Sequence, residues 1–386
     1  MPRSVSATSG VFVGSARPAE RAAAGVCALA GERKEPSMSN PESLQVAWRI
    51  DSWMVVAPEA KKHRELQYEL EDGLDNGTLS HQDAITRLTE ALTASPDWLE
   101  GLLLRAALHS ELDEHADSAR DYKHAYIRCM AVLPKNFKGP LPWSILDNRT
   151  FLRAVAAWGL ELVGQQRYDD AIPVLRKLLE WNPNDNQGIR YVLGPTLLRA
   201  GRRRQGMKAL AETAGENPAM RYELGLALFE DEKYVDAATT LRHAGIENPY
   251  IAEHLTGTLF PEPMPLWLGS NLHDYEGAYD YEEHWSKRWE ENGEATDFLR
   301  WLHTHPRVMA ERAAALAPVE ELLWEQDVPR RHALIEKRNA VRAGIDDALS
   351  KEIVVRRELH GHGTDYPWRL LRARREEARG QEWPVH

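Results

Sequence analysis

A spacing that recurs three times constrains this chain more than any other feature. A small Gly is followed twelve residues later by Ala or Gly, and twelve beyond that by Pro: Gly159, Ala171, Pro183, then Gly194, Gly206, Pro218, then Gly225, Ala237, Pro249. Small residues at fixed offsets let two helices approach closely, and Pro cannot continue a helix, so each copy predicts one helical hairpin stacked on the next. The apolar pattern agrees. Val155, Trp158, Leu162 and Val163 form one helical stripe, a turn falls around 164–167, and Tyr168, Ala171, Val174, Leu175 and Leu178 form a second. Leu193, Leu197, Leu198 and Leu210 repeat the scheme, as do Leu224, Leu228, Phe229, Tyr234, Leu241 and Ala244. Stacked hairpins make an extended surface suited to binding.

With a Tyr placed before the Ala of the second helix, as in Tyr168-Asp-Asp-Ala171 and Tyr234-Val-Asp-Ala237, the pattern resembles the tetratricopeptide repeat. Looser copies lie upstream: Ala84, Leu88, Ala91 and Pro96, with Asp72 where a small residue belongs, then Ala106, Ser118, Tyr122 and Ala125, with Met130 where Pro belongs. The resemblance implies an all-α fold, a right-handed α-solenoid of about five hairpins over 65–256 with a connector near 133–148. A C-terminal helical extension over 257–386 follows.

In tetratricopeptide arrays the first helix of each hairpin lines a concave groove. Carried onto this chain, the groove positions include Ala156, Leu160, Val163, Tyr191, Pro195, Leu198, Arg199, Tyr222, Leu226, Phe229 and Glu230. The partner-binding residues so implied are Tyr191, Leu198, Arg199, Tyr222, Leu226 and Phe229, an apolar and aromatic surface for a peptide or helix. Some members of the family clamp a terminal carboxylate with Lys and Asn; Tyr191 and Pro195 stand there instead. The competing expectation is that C-terminal helices fold back and fill the groove, which would make Tyr222 and Phe229 core residues.

The flanks are less regular. Residues 1–40 are expected to be a disordered extension, with Met38 as an alternative start; Ala28-Leu29-Ala30 could also end a signal peptide. Residues 41–64 are expected to form a helical lead-in. Pro261, Pro263 and Pro265 make 259–266 a connector. A helix over 275–289 places Tyr281, Trp285 and Trp289 on one face, suited to closing the open end of the solenoid, and further helices are expected over 296–303, 306–325 and 329–358. Arg356, Arg357, Arg369, Arg372, Arg374, Arg375 and Arg379 make the end locally basic, though Glu358, Glu376, Glu377 and Glu382 dilute it.

Chemistry is scarce. The net charge of -11 disfavours general attraction to nucleic acid or anionic lipid. Cys27 and Cys129 supply neither a disulfide framework nor a metal cluster, so a reducing, cytoplasmic compartment is expected. No apolar run approaches the ~20 residues that span a bilayer. There is no phosphate-cradling Gly-rich loop and no nucleophile elbow, and His303-Thr-His305 and His360-Gly-His362 lack the further ligands a metal site needs. The expected function is a non-catalytic protein-interaction scaffold or adaptor, without cofactor or metal, for a protein or peptide partner. Two alternatives stay open: an accessory subunit touching nucleic acid through its basic end, and a hydrolase or transferase using the C-terminal region.

Overall fold

The structure is a computed structural model that describes residues 44–49, 52–135, 137–257, 262–267 and 269–380. The expectations placed on residues 1–40, including Cys27, the Ala28–Ala30 cleavage site and the start at Met38, lie outside the described residues. The chain divides into two compact units, residues 1–202 and 203–386. That boundary falls inside the repeats, not at their expected end near 256. Helices dominate both units, and the described residues hold no sheet larger than a two-stranded hairpin.

The first unit opens on a hairpin of β1 (Gln45–Arg49) and β2 (Ser52–Val56), paired antiparallel with Trp48 opposite Trp53. This corrects the helical lead-in expected over 41–64. Leu44, Val46 and Val55 are buried on one side of the ribbon, the period-2 pattern of a half-buried strand. Asn148 fixes the hairpin: its Oδ1 accepts the Val55 N–H at 2.8 Å, and its Nδ2 donates to the Trp53 carbonyl at 3.1 Å. A short α1 (Pro58–Lys62) leads into α2 (Arg64–Asp75) and α3 (His81–Ala94). Next come α4 (Leu99–Glu111) with α5 (His115–Ala131), α6 (Leu146–Gly164) with α7 (Tyr168–Trp181), and α8 (Ile189–Arg199). Asp185 holds the start of α8 by accepting the N–H groups of Ile189 and Arg190, both at 2.8 Å.

The second unit contains α9 (Arg203–Thr213), then α10 (Pro218–Glu230) with α11 (Tyr234–Glu247), and α12 (Pro249–Leu255). The segment after α12 carries α13 (Tyr275–Trp285), α14 (Lys287–Glu291), α15 (Gly293–His303), α16 (Pro306–Trp324), α17 (Val328–Ala343) and α18 (Asp347–Ile353). A small hairpin, β3 (Arg357–Leu359) and β4 (Gly363–Asp365), turns at His360–His362, and α19 (Pro367–Gly380) ends the described chain. The helix expected over 275–289 therefore exists as two pieces broken at Ser286. The stretch 329–358 likewise resolves into α17 and α18.

Local chemistry explains the repeats. Seven residues after each small residue of a first helix the backbone turns left-handed: Asp113 (φ 59), Gln166 (φ 59), Gly201 (φ 71) and Glu232 (φ 58). The following N–H then reaches five residues back, from Glu114 to His109, Arg167 to Leu162, Arg202 to Leu197 and Lys233 to Leu228, at 2.8, 2.9, 2.8 and 3.0 Å. These are Schellman closures, which satisfy helix-end carbonyls and reverse the chain. The repeat Pro has a second role beyond ending a helix. Pro218 and Pro249 occupy the first position of α10 and α12, where a missing N–H costs nothing, and the preceding Asn217 and Asn248 cap those helices by accepting the N–H of Ala219 and of Tyr250 and Ile251.

The small residues permit close contact, to different degrees. A Cβ at Gly159 would lie 3.1 Å from Leu175, and one at Gly225 only 2.6 Å from Leu241. Core in the first unit runs through Leu70, Leu88, Leu102, Phe151, Leu162 and Leu175.

Candidate partner-binding face

In the first unit, Tyr191, Leu198 and Arg199 all sit on α8 and are half-buried. The guanidinium of Arg190 lies 5.4 Å from the centre of the Tyr191 ring, and Arg199 Nη1 donates to the Pro195 carbonyl at 3.3 Å. Leu160 and Val163, the equivalent positions of α6, are half-buried too, whereas Ala156 and Pro195 are covered.

The second unit differs. Tyr222, Leu226 and Phe229 lie on α10 at 0%, 0% and 5% exposure. The Tyr222 hydroxyl donates to the Asn248 carbonyl at 2.9 Å, and its ring lies 5.9 Å from that of Tyr281 on α13. Phe229 meets Phe298 of α15 at 4.9 Å, Tyr234 at 5.1 Å and Trp368 of α19 at 6.2 Å. The open aromatic surface expected at these three positions is therefore occupied: C-terminal helices fill it, and Tyr222 and Phe229 are core. Burial also pushes the Tyr222 phenol up, so it stays a neutral donor. The signal was present in the helix itself. Apart from Arg221, Glu223 and Glu230, α10 is apolar all round, and a helix without a polar face is covered on every side.

Burial of polar groups follows from the same covering. Glu223 is enclosed on α10, where it accepts from the Tyr281 hydroxyl at 2.9 Å and from Arg288 Nη1 at 3.2 Å; Arg288 also reaches Glu230 at 2.6 Å. Tyr281, Trp285 and Trp289 are all buried, so the aromatic stripe is a packing face. Glu247 is held by Arg221 at 2.9 Å and by Arg342, which oppose the upward push that burial exerts on its carboxyl. His303 Nδ1 accepts from Arg312 Nη1 at 2.7 Å, since a guanidinium has only donors. Burial first, then the Arg312 charge, lowers this imidazole to about 3.

The small void between α11, α12, α15 and α16, bordered by His303 and Arg312, is ≈ 10 Å³, room for one water. No group of three or more His, Cys, Asp or Glu among the described residues is arranged to hold a metal ion. Three arginines of the basic end are paired inside the chain: Arg369 binds Glu294 at 2.6 Å, while Arg375 binds Asp297 and Arg372 binds Glu376, at 2.5 and 2.8 Å. No described helix is long and apolar enough to cross a membrane.

The comparison with protein families completes the picture. A family model described as tetratricopeptide repeat matches residues 162–219, and a second of the same description matches residues 191–249. Residues 162–249 are tetratricopeptide repeats. Tetratricopeptide repeats typically mediate protein–protein interactions, and the matched stretch takes in the six positions on α8 and α10 expected to line a groove. No curated protein matches the chain.

Proposed function

We propose that this tetratricopeptide-repeat protein is a non-catalytic scaffold or adaptor of a reducing, cytoplasmic compartment. It takes a peptide or helix along the first helices of its first unit, with Leu160, Val163, Tyr191, Leu198 and Arg199 as contacts. The observation that carries this reading is the contrast between two equivalent repeat positions: Tyr191 is half-exposed on α8, whereas Tyr222 is fully enclosed on α10. A partner thus has apolar side chains to anchor on in the first unit, and in the second those anchors are already used. Cys129, a buried free thiol pushed up by burial, fits a role that needs no cysteine chemistry.

The test is cross-linking and affinity capture from the native host with the wild-type chain and with Tyr191→Ala combined with Leu198→Ala. Partners that disappear only from the double variant support the reading; an unchanged set overturns it. The nucleic-acid alternative is disfavoured by the pairing of Arg369, Arg372 and Arg375 with carboxylates. Salt-dependent retention of the full chain on single- or double-stranded DNA or RNA would revive it.

A further inference from the structure

A depression of ≈ 250 Å³ opens in the first unit between α5, α6 and α7. It belongs to the second-helix side of the repeats, apart from the face argued above. Trp158, Leu162 and Val174 floor it, and Tyr126 and Pro173 form its walls, with the Tyr126 and Trp158 rings 6.3 Å apart and 32° from coplanar. A cavity of about 150 Å³ holds a benzene ring, so this one has room for a phenyl, phenol or indole that packs at an offset against both aromatics.

The rim adds a second requirement. Lys177 on α7 lines the depression and makes no ion pair among the described residues. Arg167 is already committed to Asp170 at 2.7 Å. Lys123, one turn before Tyr126 on the same face of α5, is exposed and also without an ion pair among the described residues. Among the residues that line the depression, the two cations Arg167 and Lys177 stand against the one carboxylate of Asp170, which leaves one positive charge uncompensated.

We propose that this depression binds a peptide segment offering one aromatic side chain next to a carboxylate, the ring entering between Tyr126 and Trp158 and the carboxylate pairing with Lys177. The probes are Ac-Glu-Phe-Glu-NH2, Ac-Glu-Ala-Glu-NH2 and Ac-Lys-Phe-Lys-NH2, titrated into the full chain labelled with 15N at tryptophan, with the Trp158 indole signal assigned through Trp158→Phe. The acidic aromatic peptide is expected to shift that signal saturably, and the other two are expected to bind about fivefold or more weakly. Lys177→Glu, an exposed substitution that leaves the fold intact, should weaken the first peptide by a similar factor. Tyr191→Ala with Leu198→Ala should leave the shift unchanged, which separates this site from the inner face. The proposal is overturned by the absence of any Trp158 shift at millimolar peptide, by equal response to all three peptides, or by indifference to Lys177→Glu. A Trp158 shift that tracks protein concentration without peptide would likewise overturn it, in favour of self-association.

Discussion

At the scale of the residue, one backbone position carries much of the repeat and is filled unevenly. Asp113, Gln166 and Glu232 hold left-handed dihedrals that cost an L side chain about 1 kcal/mol, whereas Gly201 adopts the same conformation freely. Glu232→Gly is therefore expected to raise stability by about 1 kcal/mol and Gly201→Ala to lower it by a similar amount, read from urea midpoints. The small residues divide differently. At Gly225 a methyl would collide with Leu241 and force that buried side chain to move, so Gly225→Ala should cost about 1–3 kcal/mol. At Gly159 the contact, 3.1 Å, is half an ångström looser, and the helix-propensity gain of about 1 kcal/mol offsets it, so Gly159→Ala should come out near neutral. His303 supplies a pH dependence. Its folded pKa of about 3 lies below the unfolded value, so its contribution is fully present above about pH 6.5 and is lost as pH falls from there through 3, by up to about 1.4 kcal/mol per unit. His303→Gln keeps an acceptor for Arg312 and removes the titration. Urea melts at pH 7.5 and 5.5 should show a smaller difference in the variant.

At the scale of the element, α13 and α14 are fastened to α10 through a buried charge. Arg288 bridges Glu223 and Glu230, and Glu223 has no exposure of its own. Removing one partner of such a pair leaves an uncompensated charge in low dielectric, so Arg288→Ala should cost about 3–5 kcal/mol. Adding Glu223→Gln should recover a large part of that loss, and a double variant no better than the single would refute the account. The hairpins themselves were legible because their signals are local: a period near 3.6, a small residue, and a Pro. The Asn-Pro pairs at 217–218 and 248–249 were equally legible as cap and first turn, and reading Pro only as a stop missed them. The β-hairpin over 45–56 was less visible. Its alternation covers a few residues only, and it depends on Asn148, some ninety residues away, for its docking.

At the scale of the molecule, the C-terminal segment completes the second unit. Trp368 is fully buried among Phe298 at 4.8 Å, Tyr234 at 5.2 Å and Phe229 at 6.2 Å, so α19 closes a core begun on α10. Trp368→Ala should cost about 3–5 kcal/mol and lower hydrogen-exchange protection in α15 and in α10, whose Phe229 lies about 140 residues before Trp368 in the chain; unchanged protection in α10 would refute the account. The amino-acid sequence by itself determined the helical hairpins, their turns and their family, because each rests on contacts within about thirty-five residues. Only the tertiary structure decided that Tyr222 and Phe229 are core. Phe229 is covered because Phe298 and Trp368 come to lie against it, and the burial of those side chains is a long-range choice that no local spacing encodes.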